Sequence, residues 1–273
     1  KAGIQILFSI PGLKVHAKLA LVLRYNAKGE PIRSYAYIST GNFNEETAKI
    51  YSDIALYTCN RVLVEDLHNL FRYLCKEIEE PHFKRLLVAR FNLLPELKHL
   101  IHHEMALARQ GKEGRIILKM NALQDLAMID ELYRASEAGV KIDLIVRGIC
   151  CLIPGEEFSR NIRVTRIVDS FLEHARVWYF GNDGKPLVFL GSPDWMRRNL
   201  YRRIEAVAPV QDKDLKQELI DMLDIQLHAN WKACWVDAHL NNLFKRNPEE
   251  PKVRAQYDFY QYLKRKCLPE EAE

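Results

Sequence analysis

No run of apolar residues in this chain approaches the length of a membrane span. Nothing near its start has the charged, apolar and small-residue layout of a secretory signal. A cytoplasmic protein is expected. No C-x-x-C pair occurs among the six cysteines, Cys59, Cys75, Cys150, Cys151, Cys234 and Cys267, so buried free thiols in a reducing compartment are expected rather than zinc or disulfides. An excess of one charge is lacking too. With 40 Lys and Arg against 36 Asp and Glu the net charge is +4, which tolerates an anionic partner without demanding one. Three close histidines, His99, His102 and His103, lack the intervening Glu of the zinc-protease pattern, so a solvated helix face is expected there.

What is present is ordinary globular material, 48% hydrophobic and 28% charged. The 273 residues are long for one core and comfortable for two domains. Alternating patterns predict strands over 4–9, 15–24 and 33–39, the last two joined as a hairpin through "NAKGEP". Asn60 is placed to cap a helix running to residue 78, and Pro95 to open another that ends at Gly111. "RIILKM", a helix over 123–139 and "VKIDLIVRG" follow in strand–helix–strand order, which predicts a parallel pair with a crossover. Strands are expected at "IRVTRIV", "ARVWYF" and "PLVFLGS", with helices over 212–234 and 255–266. "PHFKRLLVARFNLLP" is the expected domain boundary. The chain opens on Lys1, without an initiator Met and inside a strand-like "GIQILFSI", so a fragment of something longer is expected.

The informative feature is an internal repeat. "HAKLALVLRYNAKGEPIRSYAYISTGNF" and "HARVWYFGNDGKPLVFLGSPDW" each open on His-Ala-cation, His16-Ala17-Lys18 and His174-Ala175-Arg176. Each runs up a strand, turns at a Gly-containing loop and returns. The ends match as Thr40-Gly41-Asn42-Phe43 and Ser192-Pro193-Asp194-Trp195, and thirteen residues past each hydroxyl stands a carboxylate, Asp53 or Glu205. On a strand, His16 and Lys18 would share one face. Two halves packed about a pseudo-twofold axis would bring the histidines face to face. A carboxylate on one ring nitrogen fixes the tautomer and leaves the other nucleophilic. Lys18 and Arg176 can neutralise oxyanions. One histidine would attack phosphorus while the second trades protons or stabilises the leaving oxygen.

The paired His-x-Lys/Arg motifs resemble the signature of the phospholipase D superfamily. The blocks "GLKVHAK", "STGNFNEETAKIYSDIALYT", "DLIVRGICCLIPG" and "FLEHARVWYF…GSPDWMRRNLYRRIE" more closely resemble the C-terminal half of the polyphosphate kinase family, across essentially the whole chain. That resemblance implies an α/β fold of two phospholipase-D-like domains, with mixed β-sheets flanked by helices. The domains would be pseudo-twofold related, the first truncated at its N-terminus and covering 1–85, the second 86–273. It implies reversible transfer of the ATP terminal phosphate to inorganic polyphosphate through a phosphohistidine. By matched position His16 would be the nucleophile, oriented by Asp53. Tyr51, Arg147 and His174 would contact ATP, and Glu205 would partner His174, the acid/base. Asn42, Arg202 and Arg203 are candidates for the phosphate chain. Arg197 and Arg198 of the same run, and Arg160, Arg163 and Arg166, either line such a track or are salt-bridged. Tyr37 stands where some members carry histidine, so no phosphohistidine is expected there.

Magnesium is implied as cofactor, with its ligands and part of the ATP pocket upstream and no metal site in this chain, so the chain alone is expected to be inactive. The resemblance also implies ATP, ADP and polyphosphate as partners, no nucleic acid, a homo-oligomer in the full-length form, and loose peripheral membrane association. The aromatic tail "YDFYQYLKRKCL" is expected to be a docking helix, and Phe43 and Trp195 to anchor their turns. Two other functions compete: a phospholipase-D-like phosphodiesterase using the same histidines, and a non-catalytic polyanion-binding module.

Overall fold

The computed structural model describes residues 3–8 and 10–267. The first stretch, 3–8, forms no regular element, so the strand expected over 4–9 is not there, and residue 9 lies outside the described residues. Strand β1 (Lys14–Val15) is followed, after a break at His16 and Ala17, by β2 (Lys18–Val22) and β3 (Tyr35–Ser39). Then come helix α1 (Glu45–Ala48), β4 (Tyr51–Ser52), β5 (Ala55–Thr58) and helix α2 (Arg61–Leu74). The side chain of Asn60 caps α2, accepting from Val62 N and Leu63 N at 3.0 and 3.3 Å. Leu63, Leu67 and Leu70, spaced to share one face, are buried. Asp66, on the same helix, accepts from the backbone N–H groups of Lys84, Arg85 and Leu86 and pins the passage into the second half.

The second half runs β6 (Leu87–Val88), α3 (Leu93–Arg109), β7 (Arg115–Met120), α4 (Leu126–Glu137), β8 (Lys141–Val146), β9 (Ile162–Ile167) and β10 (Leu172–Glu173). It continues through β11 (Val177–Phe180), β12 (Leu187–Gly191), β13 (Arg203–Ile204), β14 (Ala206–Pro209), α5 (Lys213–His228), β15 (Ala233–Val236), β16 (Asn242–Phe244) and α6 (Ala255–Cys267). One sheet of nine strands carries it, in the order β16-β15-β9-β8-β7-β11-β12-β14-β6. The pair β7–β8 is parallel, as the α4 crossover requires, β8–β9 is parallel across the connection 147–161, and the rest are antiparallel. The first half contributes a separate antiparallel sheet, β2-β3-β5, whose central strand packs on β12 and β14.

The central strands of the large sheet are apolar on both faces because both are covered. One core, on the α3 and α4 side, includes Leu97, Ile101, Leu132 and Trp178. The other joins α2 and α5 to both sheets through Ile38, Leu67, Val188 and Leu223. Among the described residues no helix is long and apolar enough to cross a membrane.

Several expectations differ in detail. The helix expected over 212–234 stops at His228, and residues 233–236 become β15, a strand between β9 and β16 that sequence periodicity did not show. Three of the six free cysteines, Cys59, Cys151 and Cys267, are exposed, and the other three are half-buried rather than buried. His102 bonds Glu131 across α3 and α4 at 2.8 Å. Helix α6 packs on α5 of its own chain, Tyr262 donating to Asp221 at 2.7 Å, while Tyr257 and Tyr260 stay exposed. Trp195 is fully buried against Trp178, as a turn anchor should be, but Phe43 is 66% exposed.

Candidate active site

Two short parallel strand pairs build the site, and they are the same construction used twice. β1 lies beside β13, Val15 opposite Ile204, and the N–H groups of His16 and Ala17 both reach the Ile204 carbonyl, at 2.9 and 3.1 Å. β10 lies beside β4, Glu173 opposite Ser52, and the N–H groups of His174 and Ala175 both reach the Ser52 carbonyl, at 3.1 and 3.0 Å. In each case the residue after the accepting carbonyl is the repeat's carboxylate. The acid that meets each histidine therefore comes from the other copy. His16 Nδ1 bonds Glu205 at 2.9 Å, and His174 Nδ1 bonds Asp53 at 2.7 Å.

This corrects the expected wiring, in which Asp53 served His16 and Glu205 served His174. The repeat spacing is satisfied either way. The choice is made by which strands run side by side, and these cross between halves. The alternation read through His16 is also interrupted. β1 and β2 belong to different sheets, and His16-Ala17 is the joint between them.

A carboxylate only accepts, so each Nδ1 carries the proton and each Nε2 carries a lone pair. The two lone pairs are treated differently. Lys18 Nζ stands 3.0 Å from His16 Nε2 and 3.1 Å from Nδ1, against the ring rather than along one lone pair. The ammonium is 6% exposed, and His16 is its only hydrogen-bond partner among the described residues. Burial lowers its pKa from the ordinary 10.5 to about 8, partly offset by the charge of Glu205.

Arg176, by contrast, is locked. Its Nε and Nη2 bond Asp194 at 3.3 and 3.0 Å. Nη1 donates to the carbonyls of His174 and Thr40 at 2.7 and 3.3 Å and approaches His174 Nε2 at 3.1 Å. That is three acceptors for the two hydrogens of one nitrogen. Burial lowers the His174 pKa, although its bond to Asp53 opposes the shift. Burial also works against charge on Asp53, yet His174, Thr40 and the Arg176 charge outweigh it and hold the carboxyl below its ordinary range.

The repeat's hydroxyls orient these acids. Thr40 Oγ1 donates to Asp53 at 2.6 Å and accepts from Ile54 N at 3.0 Å. Ser192 Oγ donates to Glu205 at 2.5 Å and accepts from Ala206 N at 3.2 Å. Gly41 is required here, since a Cβ would lie 2.3 Å from Asp53 Oδ2. Glu205, fully buried, has a further donor that sequence reasoning missed. Asn199 Nδ2 reaches its Oε1 at 2.5 Å from a π-helical turn, Arg198–Arg202. The matching position in the first copy is Thr47, whose hydroxyl turns to the Asn44 carbonyl instead, so comparing the copies would not have found it.

The remaining candidates divide. Tyr51 packs on the His174 ring at 4.8 Å between centroids. Arg147 Nε donates to Asn121 Oδ1 at 3.2 Å, and Asn121 Nδ2 donates to the His174 carbonyl at 3.3 Å, so Arg147 is brought to the same place. Arg203 lies on β13 opposite Lys14, next to the His16 joint. Arg202 lines a cleft of about 860 Å³ with Arg197, Tyr201, Gln124 and Asp125. None of Arg147, Arg197, Arg198, Arg202 and Arg203 lies within ion-pair distance of a carboxylate among the described residues, and Arg197, Arg198 and Arg202 are exposed. Asn42 is exposed, and its side chain meets no partner among the described residues. Arg163 and Arg166 leave the list of track candidates. Arg163 is bound to Asp143 at 2.8 Å, and Arg166 to the Gly148 carbonyl and Asn242, both at 2.7 Å.

Comparison with known proteins follows the same outline. Residues 1–80 match the family model of polyphosphate kinase C-terminal domain 1, and residues 86–256 that of C-terminal domain 2. Polyphosphate kinase of Vibrio cholerae is 44% identical over 264 residues, covering 96% of this chain and 37% of the relative. That of Synechocystis is 46% identical over 250 residues, covering 91% of this chain and 34% of the relative. The crystal structure of polyphosphate kinase from Porphyromonas gingivalis superposes with a TM-score of 0.93 at 56% identity, over 97% of this chain and 41% of that one. The chain thus spans between about a third and two fifths of the length of these proteins. With both halves matched and relatives aligned along nearly its whole length, the chain belongs to the polyphosphate kinase family.

Proposed function

We propose that this chain carries the phosphoryl-transfer centre of an enzyme that moves the terminal phosphate of ATP reversibly to inorganic polyphosphate, with His16 as the phosphorylated residue. The observation that carries the assignment is the contrast between the two Nε2 atoms. The Nε2 of His174 is covered by a guanidinium that four other acceptor atoms hold in place. The Nε2 of His16 is covered by an ammonium with no other partner among the described residues, free to follow an incoming phosphate.

In the forward step the His16 Nε2 lone pair attacks the γ-phosphorus, the bond from phosphorus to the bridging oxygen breaks, and ADP leaves with the electron pair. Glu205 holds the Nδ1 proton and balances the positive charge that the ring acquires. Lys18 transfers from the ring to the equatorial oxygens. In the second step a terminal oxygen of the polyphosphate chain attacks the same phosphorus and His16 regains its lone pair. His174 is the acid/base partner. Arg176 Nη1 has one acceptor too many, so releasing His174 Nε2 leaves both its hydrogens satisfied by the carbonyls of His174 and Thr40. Tyr51 and Arg147 would contact the nucleotide. The unpaired arginines 197, 198, 202 and 203 would carry the chain of phosphates.

The magnesium that the family resemblance implies does not fit the residues here. Among the described residues no group of three or more metal-ligating side chains occurs, and Asp53 and Glu205 are both taken up by hydrogen-bond donors. No step is drawn through it; its ligands are proposed to precede this chain, with part of the ATP pocket. The chain alone is accordingly proposed to be inactive, and the full-length enzyme to be a cytoplasmic homo-oligomer. The test is labelling of full-length protein with γ-phosphate-labelled ATP. Wild type is expected to take up acid-labile label and His16→Ala none. Label retained by His16→Ala would assign the nucleophile elsewhere.

A further inference from the structure

The residue before His174 is Glu173, 3% exposed, facing Lys119, 2% exposed. Lys119 Nζ donates to Glu173 Oε2 at 2.5 Å, Gln226 Nε2 to the same oxygen at 3.3 Å, and Gln256 Nε2 to Oε1 at 2.9 Å. A buried ion pair is costly to desolvate, and apolar residues of similar volume often serve the fold as well. The chain contains its own comparison. The residue matching Glu173 in the first copy, one before His16, is Val15, and the same strand pair, joint and histidine form there around an apolar side chain. The repeat's fold therefore does not call for a carboxylate at this place.

Of the further partners of Glu173, Gln226 comes from α5, which follows Glu205 as α2 follows Asp53, and Gln256 comes from the C-terminal helix α6. Gln256, near the start of α6, brackets Phe171. It accepts from Phe171 N at 3.0 Å and donates to Phe171 O at 2.8 Å. Just before it, Arg254 grips Asp169 through bonds of 2.8 and 2.7 Å and Ser170 Oγ at 2.8 Å. Residues 169–173, the approach to His174, are thus stitched to α6. Lys119 sits two residues before Asn121, which holds the His174 carbonyl. Ser52, Asp53, Lys119, Glu173, Gln226 and Gln256 line one cavity of about 110 Å³, so this polar cluster and the Asp53–His174 pair share a wall.

We propose that the Lys119–Glu173–Gln256 cluster is a positioning device that ties the C-terminal helix α6 to the registration of His174 against Asp53. It rests on the reading of His174 as an active-site residue. In the full-length enzyme, Gln256→Ala is expected to lower kcat roughly ten- to hundredfold with KM for ATP held, the scale of loss that small misplacements cause. The paired substitution Lys119→Met with Glu173→Val, which copies the Val15 solution, is expected to do the same with little change in thermal midpoint. In both variants the His174 ring, followed by NMR, should titrate nearer the ordinary histidine range, since burial now lowers it. Wild-type kcat with an unmoved His174 titration in Gln256→Ala would overturn the proposal. So would losses in both variants that track a lowered thermal midpoint alone. The NMR readout refers to no reaction, so its failure is distinct from failure of the kinase assignment, which His16→Ala labelling tests.

Discussion

Glu205→Gln is the substitution that tests the crossed wiring most directly. Glu205 is fully buried and accepts three donors, His16 Nδ1, Ser192 Oγ and Asn199 Nδ2. A glutamine offers one oxygen and one NH₂, so with its oxygen kept on His16 and Ser192 the NH₂ faces Asn199 Nδ2, at a cost of about 1–3 kcal/mol in stability unless Asn199 turns its amide to present Oδ1. The functional cost is larger. Without a carboxylate at Nδ1 the imidazole loses its fixed tautomer and the charge that supports attack. An analogous loss in serine proteases costs about 10⁴ in kcat, and ~10³–10⁴ is expected here in the rate of phosphoenzyme formation. Asp53→Asn perturbs His174 instead. ADP is a good leaving group, so its labelling rate should fall by no more than ~10², the lower end of general acid–base contributions. The assay is single-turnover labelling of the full-length enzyme by γ-phosphate-labelled ATP, with a thermal midpoint beside each rate to separate folding from chemistry. Rates in the opposite order, Asp53→Asn nearly unlabelled and Glu205→Gln near wild type, would refute the crossed assignment.

Three further outcomes follow from the same geometry. Gly41→Ala places a methyl 2.3 Å from Asp53 Oδ2, so the carboxylate must shift; overpacking of this kind costs about 1–3 kcal/mol, and kcat should drop more than KM in steady-state assays. Lys18, with a pKa of about 8 against an ordinary 10.5, binds fewer protons folded than unfolded between those values. Stability measured by denaturant titration should therefore gain from pH 8 towards 10.5 as the buried charge is lost. Over the same window kcat/KM should fall as Lys18 deprotonates, and Lys18→Arg, if active, should lack that alkaline limb. Replacing exposed Arg197, Arg198 and Arg202 together by Gln should raise KM for polyphosphate with little change in KM for ATP. It should also flatten the dependence of polyphosphate KM on ionic strength, since exposed charges are the ones salt screens.

The repeat was legible because duplicated side chains at matched spacing survive a six-residue difference in loop length, and the histidine, cation, hydroxyl and carboxylate of both sets lie at the site. The wiring was not legible. Spacing along one chain constrains which residues are equivalent, not which neighbour a strand chooses, and here β1 chooses β13 and β10 chooses β4. Alternation through "KVHAKLALV" read as one strand because the joint at His16-Ala17 keeps the apolar residues Val15, Ala17 and Leu19 against the same core. Asn199 was hidden inside a basic run that read as a charged face. It is buried only because a π-helical turn rotates it towards Glu205 while leaving the arginines on either side outside. Arg163 and Arg166 looked like the same kind of run. They are consumed by Asp143, Asn242 and backbone carbonyls, partners that sequence order does not bring near.

The crossing also explains why neither copy could be dispensed with. Half a molecule would hold a histidine beside its cation with nothing on Nδ1, and elsewhere a carboxylate beside its hydroxyl with no imidazole to orient. Both are poor solutions. An unoriented ring loses its tautomer, and a buried carboxylate such as Glu205, stripped of one donor, carries the penalty of an incompletely satisfied charge. Docking the halves satisfies all of these groups at once, so folding of the interface and assembly of the site are one event. Once assembled, the copies have diverged where divergence changes chemistry. An ammonium with no partner but His16 among the described residues stands beside one Nε2 and a locked guanidinium beside the other. The acids differ as well, with two donors besides the histidine on Glu205 and one on Asp53. A symmetric pair of histidines would attack and donate equally well and so compete for the same phosphorus. On the proposed assignment, the asymmetry in cations and acids suits the His16 ring to attack and the His174 ring to proton transfer.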